Sequence, residues 1–279
     1  MNAAPADSVA VCLTQARALG VDRLDAQLLL AHVLARPRSW LLAHDDAVLD
    51  AGQALRYRSL LARRVDGEPL AYLVGEKAFH GLTLNVTPDV LVPRPDTEVL
   101  VDWAIELLGG DLAHITRPTV VDLGTGSGAI ALAVKNAQPR AGVTATDHSV
   151  AALSVAQANG SRLGLEARFL PGSWWEPLPG ECFHLVLANP PYIAAGDSHL
   201  PALRHEPESA LTPGGDGLDA LRQIAREAPE HLLAGGWLLL EHGHDQAEAV
   251  QGLLQDHGFT AIETRADLGG QPRCTGARL

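Results

Sequence analysis

Four residues, Asn189-Pro190-Pro191-Tyr192, follow directly on the apolar run Leu185-Val186-Leu187-Ala188. The run has the length and texture of a buried strand, so the tetrapeptide stands at a strand end. Two prolines fix φ and remove two backbone donors, which leaves the neighbouring carbonyls free to accept. The Asn189 side-chain oxygen and the Pro190 carbonyl can then both accept from one NH2 group. An amide or aromatic amine nitrogen is a poor nucleophile because its lone pair is delocalised. Two fixed acceptors hold its hydrogens, favour pyramidalisation and aim the lone pair at an electrophilic carbon. Tyr192 can pack against the flat face of such a group. No strong base is needed before attack, because the nitrogen loses its proton after the new bond forms. Catalysis of this kind is mainly orientation.

A second set of residues could supply the electrophile. Val120-Val121-Asp122-Leu123-Gly124-Thr125-Gly126-Ser127-Gly128 reads as a strand, a glycine-rich turn and the start of a helix. Glycines allow positive φ and let backbone approach a ligand closely. Asp147 ends the next strand, 23 residues beyond Gly124, where a carboxylate can accept from both hydroxyls of an adenosine ribose. The spacing Gly124-x-Gly126-x-x-Ala129 also fits the dinucleotide fingerprint, so a nicotinamide or flavin enzyme stays open on the turn alone. Two features favour a methyl-donating sulfonium. Asp122 offers a carboxylate to its cationic aminoacyl end, and the Asn-Pro-Pro-Tyr segment suits methyl transfer but has no evident part in hydride transfer. No Lys-Ser/Thr pair follows the glycines, which excludes a P-loop.

The elements that must position these groups are legible in outline. Strand and helix patterns alternate after Pro118: strands at Thr119–Leu123, Gly142–Asp147, Glu166–Leu170, Phe183–Asn189 and Trp237–Glu241, with helices at Ser127–Ala137, Ser149–Leu163, Leu218–Leu233 and Asp245–His257. Two β segments, Ala261–Ala266 and Arg273–Leu279, finish the chain. Such alternation predicts a doubly wound, mainly parallel sheet, with ligands beyond the C-terminal strand ends. Residues 1–75 are helical in pattern. Asp22 caps one helix that stops near Arg36-Pro37, and a second runs from Asp50 to Val65 with Gly67 beyond it. A β-hairpin follows, turning at Gly81, and at Pro93-Arg94-Pro95-Asp96-Thr97-Glu98 a new helix begins, with Asp96 or Thr97 placed to cap it.

Composition bounds the partners. The 279 residues carry 21 Lys+Arg against 33 Asp+Glu, a net charge of −12, and 47% are hydrophobic. A globular protein that acidic starts with a penalty against a phosphate backbone. The Arg56, Arg58, Arg63 and Arg64 cluster reads as a solvated helix face. No apolar run is long enough to span a bilayer, and the first ten residues lack the pattern of a secretory signal. Cys12, Cys182 and Cys274 are odd in number and widely spaced, as expected of reduced thiols in the cytoplasm. The cluster Glu241-His242-x-His244-Asp245 could suggest a metal, but it ends a buried strand where histidines pack or bond locally, and no metal is expected. His199 and His205 follow the Asn-Pro-Pro-Tyr segment and could border a substrate groove.

Taken in order, Gly67-Glu68-Pro69-Leu70-Ala71-Tyr72-Leu73-Val74-Gly75, Leu91-Val92-Pro93-Arg94-Pro95-Asp96-Thr97-Glu98, the Asp122–Ala131 segment, Asn189-Pro190-Pro191-Tyr192-Ile193, Arg204-His205-Glu206-Pro207 and Glu241-His242-Gly243 resemble the PrmC/HemK family of release factor glutamine N5-methyltransferases over essentially the whole chain. The resemblance implies an α/β fold: a Rossmann-like seven-stranded class I methyltransferase sheet with a small N-terminal helical domain joined by a β-hairpin. The boundaries it suggests are 1–75 for a substrate-recognising helical bundle, 76–95 for the hairpin linker and 96–279 for the methyltransferase domain. It implies S-adenosylmethionine as methyl donor, S-adenosylhomocysteine as product, and the glutamine of the Gly-Gly-Gln motif of class 1 release factors as acceptor. By position, Asp122, Gly124, Thr125, Gly126, Ser127, Gly128, Asp147, Trp174 and Asn189 would contact the donor. Asn189, Pro190, Pro191 and Tyr192 would hold the glutamine, with Asn189, Pro190 and Tyr192 acting in catalysis. Many relatives carry an acid just before the tryptophan; Ser173 stands there instead, which puts a contact to the adenine amino group in doubt. A ribosomal-protein glutamine methyltransferase, an adenine N6-methyltransferase on nucleic acid and a non-enzymatic adenosine-binding adaptor are the competing readings. A cytoplasmic monomer without membrane or direct nucleic-acid contact is the expectation.

Overall fold

The computed structural model describes residues 7–279, which divide into two compact units, one ending at Glu76 and the other running from Lys77 to Leu279. The first is all helical: α1 Val9–Ala18, α2 Arg23–Leu34, α3 Arg38–Ala43, α4 Ala51–Val65 and α5 Leu70–Val74. Local chemistry sets its ends. The Asp22 carboxylate accepts from Leu24 N at 2.7 Å, and Asp50 and Gln53 form a reciprocal capping box at the start of α4, relieving amides that have no partner inside the helix. Leu29, Leu30, Leu41, Tyr57 and Leu61 fill the bundle core, and the buried Tyr57 hydroxyl donates to Ala26 O. On α4, Arg58, Arg63 and Arg64 are paired with Asp7, Glu68 and Asp25. Those charges are neutralised within the bundle.

From the unit boundary onward come the hairpin strands β1 Glu76–Phe79 and β2 Leu82–Asn85, followed by α6 Glu98–Gly109. Then come β3 Thr119–Leu123, α7 Ala129–Ala137, β4 Gly142–Asp147, α8 Val150–Leu163, β5 Arg168–Pro171, β6 Phe183–Ala188, α9 Asp219–Glu227, β7 Leu232–Glu241, α10 Ala247–Asp256, β8 Thr260–Ala266 and β9 Pro272–Arg278. The seven-stranded sheet has the order β5-β4-β3-β6-β7-β9-β8, parallel from β5 to β7 and antiparallel at β9. Strand residues alternate between two cores. Val120, Leu185, Leu187 and Leu239 face α6, α7 and the hairpin; Val121, Val186, Leu238 and Leu240 face α9 and α10. This is the doubly wound, mainly parallel sheet expected from the strand and helix alternation.

Several boundaries moved for identifiable reasons. The helix expected to run to Leu233 ends at Glu227 and tightens into a 3-10 turn over Ala228–Glu230. Pro229 cannot donate there and its ring opposes a further α turn, so β7 starts five residues before the expected Trp237. The helix expected from Ser127 starts at Ala129, because Gly128 holds φ +84, a left-handed conformation outside any α-helix. The hairpin packs Phe79, Leu82 and Leu84 into the first core. Its last residue is pinned by the buried Asn159 of α8: Asn85 N donates to Asn159 Oδ1 at 2.7 Å, and Asn159 Nδ2 donates to Asn85 O at 2.9 Å and to Ser127 O at 3.0 Å.

Candidate active site

Parallel strands deliver their C-terminal ends to one rim of the sheet, where β3, β4 and β6 release the glycine turn, Asp147 and Asn189. A cavity of about 300 Å³ opens there. Gly124, Thr125, Gly126, Ser127, Asp147, Trp174, Asn189 and Pro191 line it, and Pro88–Leu91, Pro93, Arg94 and Thr97 close its other side.

The glycine turn is welded to β4. Gly124 N and Thr125 N both donate to Thr146 O at 2.9 Å. The Asp147 carboxylate, 7% exposed, takes Gly126 N on one oxygen and Ser149 N on the other, each at 2.8 Å. It is therefore fixed in orientation, and each oxygen keeps a lone pair for an incoming hydroxyl. Gly124 has φ +74, and a Cβ on it would come within 3.0 Å of the Trp174 ring; only glycine lets that ring lie against the turn. Trp174 itself holds φ +48, which a bulky residue adopts only when its surroundings over-determine it. Here the Thr146 hydroxyl donates to its carbonyl, and the Glu176 carboxylate accepts from Ser173 N at the head of the same turn. Ser173 lines an adjoining cavity together with Trp174 and His148.

Asp122 departs from the expectation. It is fully buried beneath the turn and does not line the cavity. Its Oδ2 accepts from Thr125 Oγ1 at 2.6 Å and from Ala131 N at 3.2 Å, while Oδ1 has no partner. The reason is local: Gly128, the capping residue of α7, has no side chain, so the free amide of that helix start takes its acceptor from Asp122. Burial raises the Asp122 pKa to about 7 against the opposing pull of the Thr125 hydroxyl and the Ala131 amide. Gly128, also expected at the ligand, instead starts α7 and lies outside the cavity lining.

The Asn-Pro-Pro-Tyr segment divides in two. Asn189 and Pro191 face the cavity, while Pro190 is buried and Tyr192 turns away. The Tyr192 ring packs on the second core, its hydroxyl donates to Glu241 Oε1 at 3.3 Å, and its carbonyl accepts from Gln246 Nε2 at 3.0 Å. Tyr192 thus braces the loop from behind and offers no flat face to the cavity. Burial, with Glu241 beside it, keeps its phenol protonated.

Sequence reasoning missed Thr97, read there as a helix cap. Pro95–Thr97 form a 3-10 turn running straight into α6, so Thr97 is already helical and its side chain caps nothing. Its hydroxyl, 4% exposed, instead accepts from Asn189 Nδ2 at 3.2 Å. By accepting from Asn189 the hydroxyl orients that amide. Asn189 Oδ1 receives no hydrogen bond from any described residue. The signal was the isolated Thr between Asp96 and Glu98, but a hydroxyl 92 residues from its partner cannot be paired by spacing. Thr97→Val keeps the shape and removes the acceptor. It is expected to lower the turnover rate about 10- to 100-fold with donor affinity unchanged, and Thr97→Ser should restore turnover.

Glu206 was likewise seen only as part of a motif. Its nearly buried carboxylate binds the Arg94 guanidinium and accepts from Val92 N at 3.0 Å, clasping the wall that carries Pro93 and Arg94. The Glu241–Asp245 cluster disperses: His242 bonds Gly243 O at 2.8 Å and Thr275 Oγ1 at 2.7 Å. Among the described residues no group of His, Cys, Asp and Glu is placed to hold a metal ion. His199 is exposed and paired with Asp197. No described helix is long and apolar enough to cross a membrane.

Burial raises the Glu241 carboxyl to about 7, although Thr97, Arg273 and Tyr192 pull it down; Asp96 adds to the rise. An acid with a raised folded pKa stabilises the fold fully below its unfolded value and loses that contribution as pH climbs through the folded value. Thermal stability is therefore expected to fall between about pH 4.5 and 7. Glu241→Gln should flatten part of that slope in melts across the range, and an unchanged slope would remove Glu241 as its source.

Sheet order and rim cavity together define a class I methyltransferase fold. Solved structures agree: the Thermus thermophilus 16S rRNA N2 G1207 methyltransferase superposes with TM-score 0.55 at 21% identity over 73% of this chain and 49% of that one. The hMettl16 catalytic domain superposes with TM-score 0.57 at 15% identity over 81% of each. The PrmC N-terminal domain family matches residues 9–75 and the methyltransferase small domain family residues 97–218. The release factor glutamine methyltransferase of Bordetella pertussis is 50% identical over 93% of this chain and 96% of its own length; that of Burkholderia pseudomallei is 48% identical over 94% of each. The chain belongs to the release factor glutamine methyltransferase family.

Proposed function

We propose that the chain methylates the side-chain amide nitrogen (N5) of the glutamine in the Gly-Gly-Gln motif of peptide chain release factors, with S-adenosylmethionine as donor. The observation that carries this reading is the Asn189 amide, oriented by Thr97 with Oδ1 open at the rim that also holds the glycine turn and Asp147. The residues present suit the donor. Asp147 would take the ribose hydroxyls, Gly124–Ser127 would let the ligand approach backbone, and Trp174 would wall the adenine. The donor supplies a methyl group activated on a sulfonium. Asn189 Oδ1 and the Pro190 carbonyl hold the hydrogens of the acceptor amide, so its nitrogen lone pair is directed rather than deprotonated, and the proton leaves after transfer. Pro191 borders the acceptor, and Tyr192, anchored on Glu241, keeps the loop from yielding. The same side chains explain why turnover should need no general base.

We further propose that the N-terminal helical unit recognises the release factor and that the chain works in the cytoplasm as a monomer. An adenine acceptor presents a similar NH2, but the likeness to nucleic-acid methyltransferases is one of fold at 15–21% identity. The acidic balance of 33 to 21 also disfavours a phosphate backbone. Labelled donor incubated with a release factor, with that factor carrying Glu in place of the motif glutamine, and with nucleic acid separates the readings. Of the three added substrates the unaltered release factor alone is expected to take label; label in nucleic acid but not in release factor overturns the assignment.

A further inference from the structure

The chain carries the acceptor tripeptide itself: Gly269-Gly270-Gln271. Resting on the release-factor reading above, we infer that Gln271 is a methyl acceptor for a second copy of this enzyme. The tripeptide occupies the turn between β8 and β9, which pair antiparallel from Ala266 opposite Pro272. All three residues are exposed, and the preceding Leu268 is 102% exposed, so the turn projects from the body of the unit.

Asp267 builds the turn. Its backbone N donates to Gln271 O at 2.9 Å, and its Oδ1 accepts from Gly269 N at 2.9 Å and Gln271 N at 3.0 Å. Its Oδ2 is held by Arg273 at 3.0 Å. These bonds consume the Gln271 backbone, while its side-chain amide bonds to no described residue. Pro272 restricts Gln271 to extended backbone, and the two glycines before it put no side chain beside its amide. A glutamine presented this way matches what a narrow rim pocket with two acceptors would take.

The sheet decides which copy acts. β8 runs parallel to β7, so its turn lies on the rim that bears Asn189, but β7 and β9 stand between β6 and β8. More than two strand spacings, about 10 Å, therefore separate Gln271 laterally from its own β6 end. Arg273 ties the turn to Asp267 and reaches Asp96 and His242 O, so the turn does not swing across. In the intermolecular step a bond forms from Gln271 Nε2 to the methyl carbon as the carbon–sulfur bond of S-adenosylmethionine breaks. The donor leaves as S-adenosylhomocysteine, and one amide proton passes to water.

Labelled donor and the full chain, without release factor, should place label in the tryptic fragment 266–273, whose only amide side chain is Gln271. Gln271→Glu should lose that label to background while methylating release factor at the wild-type rate. In a mixture, Asn189→Ala chain as acceptor should be labelled by Gln271→Glu chain as enzyme. An unlabelled fragment from a preparation that methylates release factor overturns the inference and leaves the parent reading standing. If neither is labelled, both fall. Label in the wild type but none in the mixture overturns transfer between copies.

Discussion

Asn189→Ala is expected to fold as the wild type does and to lose methyl transfer to release factor by roughly 100- to 1,000-fold, the scale on which removing one preorganised polar contact acts in other active sites. The side chain is half-buried, its one described hydrogen bond is to Thr97, and it carries no core packing. Truncation therefore costs little stability. What disappears is the aimed oxygen. An acceptor amide could still enter, held by the Pro190 carbonyl alone, but its nitrogen would no longer be oriented toward the donor. The loss should appear in turnover more than in KM for the release factor, since an interaction that matters chiefly during reaction leaves ground-state binding nearly unchanged. Single-turnover kinetics with labelled donor checks this, and wild-type turnover would remove Asn189 from the chemistry. The Thr97→Val effect should vanish when measured in the Asn189→Ala background, because both act through one amide.

Asp147→Ala is expected to weaken S-adenosylmethionine binding about 100-fold, on the scale of hydrogen bonds to a charged acceptor. The carboxylate has two tasks, since it would receive ribose hydroxyls and it already gathers Gly126 N and Ser149 N. The variant thus loses ligand contacts and loosens the turn that shapes the cavity. Thermal melts with and without donor read the effect: stabilisation by ligand follows its saturation, so at a donor concentration that raises the wild-type Tm the variant should show little rise. Asp147→Asn separates the tasks, because one amide oxygen can still accept from a backbone N–H. An undiminished Tm rise in Asp147→Ala would place the ribose elsewhere.

Much of this was legible in the chain because the signals were local. Strands β3, β4 and β6 were bounded by their own apolar runs, and the turn at Gly124–Gly128 by its glycines. Of the site misplacements, that of Asp122 was local, while those of Tyr192 and Thr97 were matters of tertiary geometry. Asp122 has the residue type and position of a ligand-facing acid, but the bare capping residue Gly128 needed an acceptor and drew it inward. Tyr192 stood beside the reactive segment in sequence, yet its hydrogen bond to Glu241 and its packing on the second core turned it from the cavity. Thr97 had the signature of a cap and became instead the partner of a residue from another strand end. A motif names the residues of a site; which of them face the ligand depends on partners both near and far in sequence.

Asn159 couples the entry hairpin to the glycine turn. One buried amide side chain joins the end of the entry hairpin to the carbonyl of Ser127. The loop that would receive the donor cannot fray without also releasing β2, so the two segments should exchange their amide hydrogens at a common rate. Filling the cavity would then slow exchange at Asn85, a residue outside the cavity lining.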